Sequence, residues 1–324
     1  MIRRDFLILV GTASAVPLAA RAQKLPSVGF LHSGDPNRFR EMVDYFHQGL
    51  SHGGYVEGRN VTLEYRWAAN RVDQLPALAA DLVRNQVDVI FAGGGALPPL
   101  AAKAATSTIP IVFAFGGDPV AYELVTSWNR PGGNITGTTF MTAELASKRV
   151  QLLTELAPKP KTIAYIFDPR AVTAAQQTHS VIAAGRTFKR DVLPLGVRSP
   201  ADLEPVVATF AQGRADALLV GPYPLFYGYR EDILKLAERH KVPALYPDSI
   251  FVSSGGLMSY GASTRENFRQ GGDYVARILK GARPADTPVQ QPTKIELVVN
   301  ARTVDALGLT IPRMIRPRID ELVD

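Results

Sequence analysis

Cysteine is absent from all 324 residues, and that single absence removes several chemistries at once. Without it there is no disulfide, no thiol nucleophile and no thiolate metal site. Nor is there a residue on which a diacylglyceryl anchor could be built. Histidine is scarce. The five are His32, His47, His52, His179 and His240; no two stand four apart and no H-E-x-x-H occurs, so a metal centre is not expected. The chain has no G-x-S-x-G elbow and no G-x-x-x-x-G-K phosphate loop, so the sequence does not read as an enzyme and implies no cofactor. Runs of one charge are missing too. Lysine and arginine are scattered among the acids without aromatic interleaving, which leaves nucleic-acid binding unsupported.

What is present at the N-terminus has the pattern of an export signal. Arg3-Arg4-Asp5-Phe6-Leu7 opens an apolar run over 6–16, and Ala20-Arg21-Ala22 supplies an A-x-A site. A positive n-region, a short h-region and small residues at the cleavage point make a secretory signal peptide over 1–22, with paired arginines of the twin-arginine kind. The apolar run is too short to stay in a bilayer as a spanning helix. Removing 1–22, which carry three arginines and one aspartate, lowers the net charge from +6 to +4. The expected product is periplasmic, soluble and unanchored. No long exposed apolar stretch is evident, so a monomer is expected.

The stretch 87–120, VDVIFAGGGALPPLAAKAATSTIPIVFAFGGDPV, organises the rest. Its apolar runs, 87–92 and 109–114, lack polar alternation, as strands buried on both faces do, and an alanine-rich helical segment joins them. That is a βαβ unit, and it implies a parallel sheet. Each run breaks at glycines, Gly93-Gly94-Gly95 and Gly116-Gly117 before Asp118, at the strand ends where open parallel sheets bind ligands. These glycines do not make a dinucleotide fingerprint, because Pro98 stands where the third glycine of G-x-G-x-x-G belongs.

Read in order, the spacing predicts strands at 27–32, 60–67, 87–92, 109–114 and 135–139, with helices at 37–52, 72–85 and 121–128. The plan then repeats, with strands at 162–167, 191–195, 217–220, 244–248 and 256–260 and helices at 145–156, 172–184, 203–212 and 230–240. A long helix over 264–280, a linker at 281–286 and a strand at 294–300 follow. Such extra elements imply that the chain returns to the first lobe and re-enters the second. The fold class expected is α/β, two doubly wound parallel-sheet lobes joined by a multi-strand hinge. Lobe 1 takes 23–138 plus about 264–285, and lobe 2 takes 139–263 plus about 286–324.

Strand-end residues suited to holding a small molecule are Ser33, Gly94, Gly95, Ala96, Gly117 and Asp118 from lobe 1, and Phe167, Asp168, Tyr223, Asp248, Ser249 and Tyr260 from lobe 2. Backbone amides with Ser33 suit a carboxylate, Asp118 or Asp248 an ammonium, and Tyr223 or Tyr260 an apolar or aromatic body. His32, at the end of the first strand, is the one histidine near this set.

Several multi-residue motifs carry a family resemblance in the right order: Gly54-Tyr55-Val56-Glu57-Gly58-Arg59-Asn60-Val61, Val87-Asp88-Val89-Ile90, Ala101-Ala102-Lys103-Ala104-Ala105-Thr106, Ile109-Pro110-Ile111-Val112, Gly117-Asp118-Pro119-Val120 and Arg130-Pro131-Gly132-Gly133-Asn134-Ile135-Thr136-Gly137. Over about 26–308 the chain resembles the ABC-transporter substrate-binding proteins of the tryptophan/tyrosine-binding type. The resemblance implies a type 1 periplasmic-binding-protein fold, a small-molecule ligand (an amino acid or an aromatic carboxylate) closed between the lobes, and an ABC permease in the inner membrane as partner. Where the family's loop after the third strand commonly reads Gly-Gly-Thr, Ala96 here removes a hydroxyl. Two other readings stay open at this point: a ligand-binding partner of a membrane sensor receptor, and an exported α/β enzyme.

Overall fold

The computed structural model describes residues 24–140, 145–157, 160–292 and 294–324; the expected signal peptide lies outside them. No helix among the described residues is long and apolar enough to cross a membrane. The first lobe is built from β1 (Ser27–His32), α1 (Arg40–His52), β2 (Thr62–Trp67), α2 (Leu75–Arg84), β3 (Val89–Gly93), α3 (Leu97–Ala105), β4 (Ile111–Phe115) and β5 (Ile135–Thr139). Its sheet runs β2-β1-β3-β4-β5 with every pair parallel. β1, β3 and β4 are buried along their whole length, as their unbroken apolar sequences require. Register places Phe30 opposite both Tyr65 and Phe91. Phe46 of α1 closes onto this pair, 5.2 Å from the Phe30 ring and 4.5 Å from that of Phe91.

The second lobe continues with α4 (Ala146–Leu156), β6 (Thr162–Phe167), α5 (Ala174–Thr187), β7 (Asp191–Gly196), α6 (Leu203–Ala211), β8 (Ala217–Val220), α7 (Pro224–Gly228), α8 (Arg230–Arg239), β9 (Ala244–Tyr246), α9 (Ser249–Ser253) and β10 (Met258–Gly261). After α10 (Thr264–Leu279), the chain adds β11 (Glu296–Asn300), α11 (Ala301–Ala306) and β12 (Glu321–Val323). The sheet order is β12-β11-β10-β9-β8-β6-β7, parallel except for the antiparallel pair β10 and β11. Six strands were expected in this lobe, counting the one over 294–300, and seven are present, because the tail adds β12 beyond β11. The two lobes and their mostly parallel sheets are otherwise those the sequence implied.

One predicted element does not form. The run 121–128 is a succession of turns instead of a helix. Glu123 takes a left-handed φ of 54°, which breaks a helical ladder. Leu124 N–H donates to Pro119 O at 2.8 Å, and Leu124 and Val125 are buried in the core of the lobe. Apolar residues that looked like one helical face are the plug of a compact loop.

The chain passes between the lobes after β5, after β10 and again after Gln290. Before that last passage it lies along β5: Thr136 Oγ1 donates to Thr287 O at 2.7 Å, and Gln290 bonds to both Gly137 and Thr139 at 2.9 Å. Helix α10, though it follows the second lobe in sequence, packs on α1, β3, β4 and β5 of the first. Two glycines allow the approach. A Cβ on Gly49 of α1 would stand 1.8 Å from Arg269 O, and one on Gly272 of α10 would stand 2.1 Å from Phe46 O. The helices are in backbone-to-backbone contact there.

Candidate functional site

A cleft opens where the carboxyl ends of the two sheets face one another, the position open parallel sheets offer to ligands. Its first-lobe wall comes from the end of β1 (His32, Ser33), the β3–α3 loop (Gly94, Gly95, Ala96) and the end of β4 (Ala114, Phe115, Gly116). Its second-lobe wall comes from the loop after β6 (Asp168, Arg170) and the loop after β8 (Pro222, Tyr223, Pro224). Phe39, Phe140, Phe268 and Tyr227 add aromatic surface.

Six of the twelve expected residues line this cleft: Ser33, Gly94, Gly95, Ala96, Asp168 and Tyr223. The Ser33 hydroxyl donates to Gly94 O, so its proton is committed within the loop. Gly94 and Gly95 sit at φ 85° and 101°, conformations that side-chain-bearing residues rarely take. Tyr223 is buried, its hydroxyl 3.3 Å from that of Tyr165, and burial pushes its pKa upward.

The other six lie outside the cleft lining. Gly117 O accepts from Thr139 Oγ1 at 3.0 Å, and the exposed Asp118 accepts from Val120 N–H at 2.9 Å, capping the following turn. Phe167 stacks on Tyr165, centroids 5.9 Å apart. Asp248 is buried and spends both carboxylate oxygens on backbone, Oδ1 on Ile250 N–H at 2.9 Å and Oδ2 on Thr264 N–H at 2.8 Å. It thereby ties α9 to the start of α10, beside a hinge passage. Ser249 opens α9, its carbonyl accepting from Ser253 Oγ at 3.1 Å. Tyr260 O accepts from Nε of the buried Arg149 at 2.8 Å, and burial pulls the Arg149 pKa down to about 10.

Sequence reasoning passed over six polar residues of the cleft: Asn70, Arg170, Thr173, Gln177, Tyr227 and Thr264. Arg170 was within reach of the strand-end argument, since it stands two residues past Asp168. Its guanidinium forks onto that carboxylate, Nε to Oδ1 and Nη2 to Oδ2, each at 3.0 Å. The hydrogen bonds it donates to Asp168 raise the Arg170 pKa further. Among the described residues lining the cleft, these two are the formal charges, and they cancel.

Histidine 32 is fully buried, its ring against Phe39 (centroids 4.4 Å apart) and Trp67 (4.9 Å). Gly34 N–H donates to its Nδ1 at 2.9 Å. Burial lowers its pKa to about 3, so the ring is neutral at any physiological pH.

The backbone supplies fewer donors than glycine loops led us to expect. Pro98 and Pro99 stand in the first turn of α3, Pro169 follows Asp168, and Pro222 and Pro224 flank Tyr223. None of these carries an N–H. Polar recognition in this cleft therefore falls more heavily on side chains.

The lobes touch across the cleft. Arg38 of the first lobe donates to Gly228 O of the second and lies over the Tyr229 ring, 5.3 Å from its centroid. A Cβ on Gly95 would meet the Pro224 ring at 3.4 Å.

Comparison with known proteins follows the same lines. The family model described as ABC transporter substrate binding protein matches residues 34–323. A curated tyrosine-binding protein of Clostridioides difficile (strain R20291) is 27% identical over 264 residues, 82% of this chain and 75% of that protein. Among solved structures, a conserved domain protein from Vibrio cholerae superposes with a TM-score of 0.82 at 25% identity, covering 92% of this chain and all of the other. An ABC domain from Streptococcus pneumonia in complex with L-Trp gives 0.81 at 23% identity over the same shares. The ligand-free, open structure of a Clostridium difficile substrate-binding protein with adhesive properties gives only 0.65 at 24% identity, over 92% of this chain and 99% of the other.

Proposed function

Because the chain belongs to the family of ABC transporter substrate binding proteins, which bind a substrate and are not enzymes, we propose that it is the exported, monomeric solute-binding component of an ABC importer. It delivers to an inner-membrane permease a zwitterionic amino acid with an aromatic or large apolar side chain. The observation that carries the ligand class is the charge balance of the cleft. Aromatic and apolar walls surround one Asp168–Arg170 pair whose charges cancel. In so apolar a cleft an uncompensated charge is costly, so a ligand with equal and opposite charges fits better than a monoanion. Its carboxylate can face Arg170 and its ammonium Asp168, while Phe39, Phe140 and Phe268 pack on its side chain. Relatives described as tyrosine-binding and as a complex with L-Trp support the same class. The arginine pair and A-x-A site of 1–22 support export. Ligand touches both walls only when the lobes are closed, so it favours that state by its differential affinity.

The test is a thermal-shift and calorimetric panel of L-tryptophan, L-tyrosine, L-leucine, indole-3-acetate and glucose. A ligand at 100 times its Kd stabilises the native state by about 2.7 kcal/mol. Asp168→Asn should weaken an amino acid about tenfold and leave or improve binding of indole-3-acetate. Binding of indole-3-acetate in preference to the amino acids would replace the zwitterion with an aromatic carboxylate. Binding of glucose alone would remove both.

A further inference from the structure

We infer that His32 is a ligand-binding residue, donating a hydrogen bond from Nε2–H to an oxygen of the ligand's carboxylate, and so providing the first lobe's polar contact opposite the Asp168–Arg170 pair. The inference deepens the amino-acid reading given above and rests on it for the identity of the acceptor.

The argument begins with the tautomer. A neutral imidazole has one N–H and one lone pair. Gly34 N–H points at Nδ1, 2.9 Å away, so the lone pair is on Nδ1 and the proton on Nε2. Yet Nε2 is buried and has no hydrogen-bond partner among the described residues. Buried donors are rarely left unmatched, so an unmatched one on a residue that lines a cleft is a candidate contact for a ligand atom. The ring itself lines that cleft, wedged among Phe39, Trp67 and Phe268.

Gly94 lies against this edge of the ring and has no side chain to place there. A Cβ there would stand 2.8 Å from His32 Nε2 and 2.6 Å from Ser33 Oγ. Some of the neighbouring donors are spent or missing, since the Ser33 hydroxyl is turned onto Gly94 O and Pro98 and Pro99 have no N–H. With Asn70, His32 is a first-lobe side chain of the cleft that has a proton left to give. A neutral donor also suits the charge balance, because it recognises an oxygen without adding a charge to the cleft.

Three variants of the full mature chain separate the possibilities. His32→Asn keeps an acceptor for Gly34 N–H and loses the distal donor; His32→Gln places an amide N–H near the Nε2 position; His32→Phe keeps the ring alone. Calorimetry with L-tryptophan and L-tyrosine should find Asn and Phe about 10- to 100-fold weaker than the parent, with Gln recovering most of the loss. Circular dichroism melts identify any variant that is not folded, and the remaining variants then decide. Equal affinity across the folded variants overturns the inference. If the parent binds neither amino acid, the proposed ligand class falls, and the His32 assignment is decided separately by 15N NMR of the imidazole in the ligand-free protein. A proton on Nε2 without a protein partner sustains it; a proton on Nδ1 overturns it.

Discussion

The two walls of the cleft are made of different material. The first lobe offers backbone and small residues, Gly94, Gly95, Ala96 and Gly116, around one buried histidine. The second offers long side chains, an arginine–aspartate fork and a tyrosine, held by loops stiffened with Pro169, Pro222 and Pro224. The difference reaches into the supporting structure. The first sheet ends at five strands and takes a helix from beyond the second lobe to cover it, whereas the second grows two further strands from the tail. Shape is set by the first lobe and charge by the second. On the function proposed above, a ligand has to satisfy both, and only the closed arrangement lets it.

The largest expected effect tests the first wall through proton linkage. His32 is held near pKa 3 in the folded protein by burial, against 6.5 when unfolded. Its folded pKa is depressed, so between these values the unfolded chain binds the extra proton. The stability is fully present above about pH 6.5 and is lost as pH falls toward 3, by roughly 1.4 kcal/mol per pH unit from this group. Urea melts of the parent and of His32→Phe between pH 7 and 4.5 should show this component of the slope in the parent and not in the variant. Equal slopes would mean that the two walls do not differ in this way.

A somewhat smaller effect is expected where the first lobe is fastened to its late-arriving helix. Gly49→Ala forces a methyl against Arg269 O and should cost about 2 kcal/mol or more, seen as a lower Tm. Gly213→Ala in the second lobe meets no neighbour and carries only the penalty of its φ of 65°, so it should cost less. The smallest effect concerns the contact between the walls. Arg38→Ala removes the contacts to Gly228 O and the Tyr229 ring and should raise ligand koff by about fivefold with little change in kon.

Much of this architecture was legible in the sequence, for reasons the structure makes plain. Strands buried on both faces write unbroken apolar runs, so β1, β3, β4, β6 and β8 could be read directly. The glycines after β3 pointed to the cleft because only a close approach or a positive φ calls for three in a row. The helix at 264–280 pointed back to the first lobe because the second already had five strands by residue 260. What could not be read were features fixed by distant partners. Asp248 looked like a free strand-end carboxylate until Thr264 N–H, 16 residues away, was found to occupy it. Leu124 and Val125 had helical spacing, but burial in the lobe's core bends their segment into turns. The Arg170 fork is local and could have been proposed. The vacant donor of His32 depends on a tautomer set by Gly34, which no residue pattern displays.

The seat of α10 on α1, β3, β4 and β5 also fixes an order of events during synthesis. Residues 27–139 carry every strand of the first sheet, yet the helix that seals one of its faces ends at Leu279, after β6 to β10 have been made. At about 5–20 residues per second, ribosomes need many seconds to cover that interval. Throughout it the apolar surface around Phe91 lacks Phe268 and Gly271 against it. The lobe begun first thus waits for a helix made long after its own strands, and a binder of exposed apolar chain has its target there.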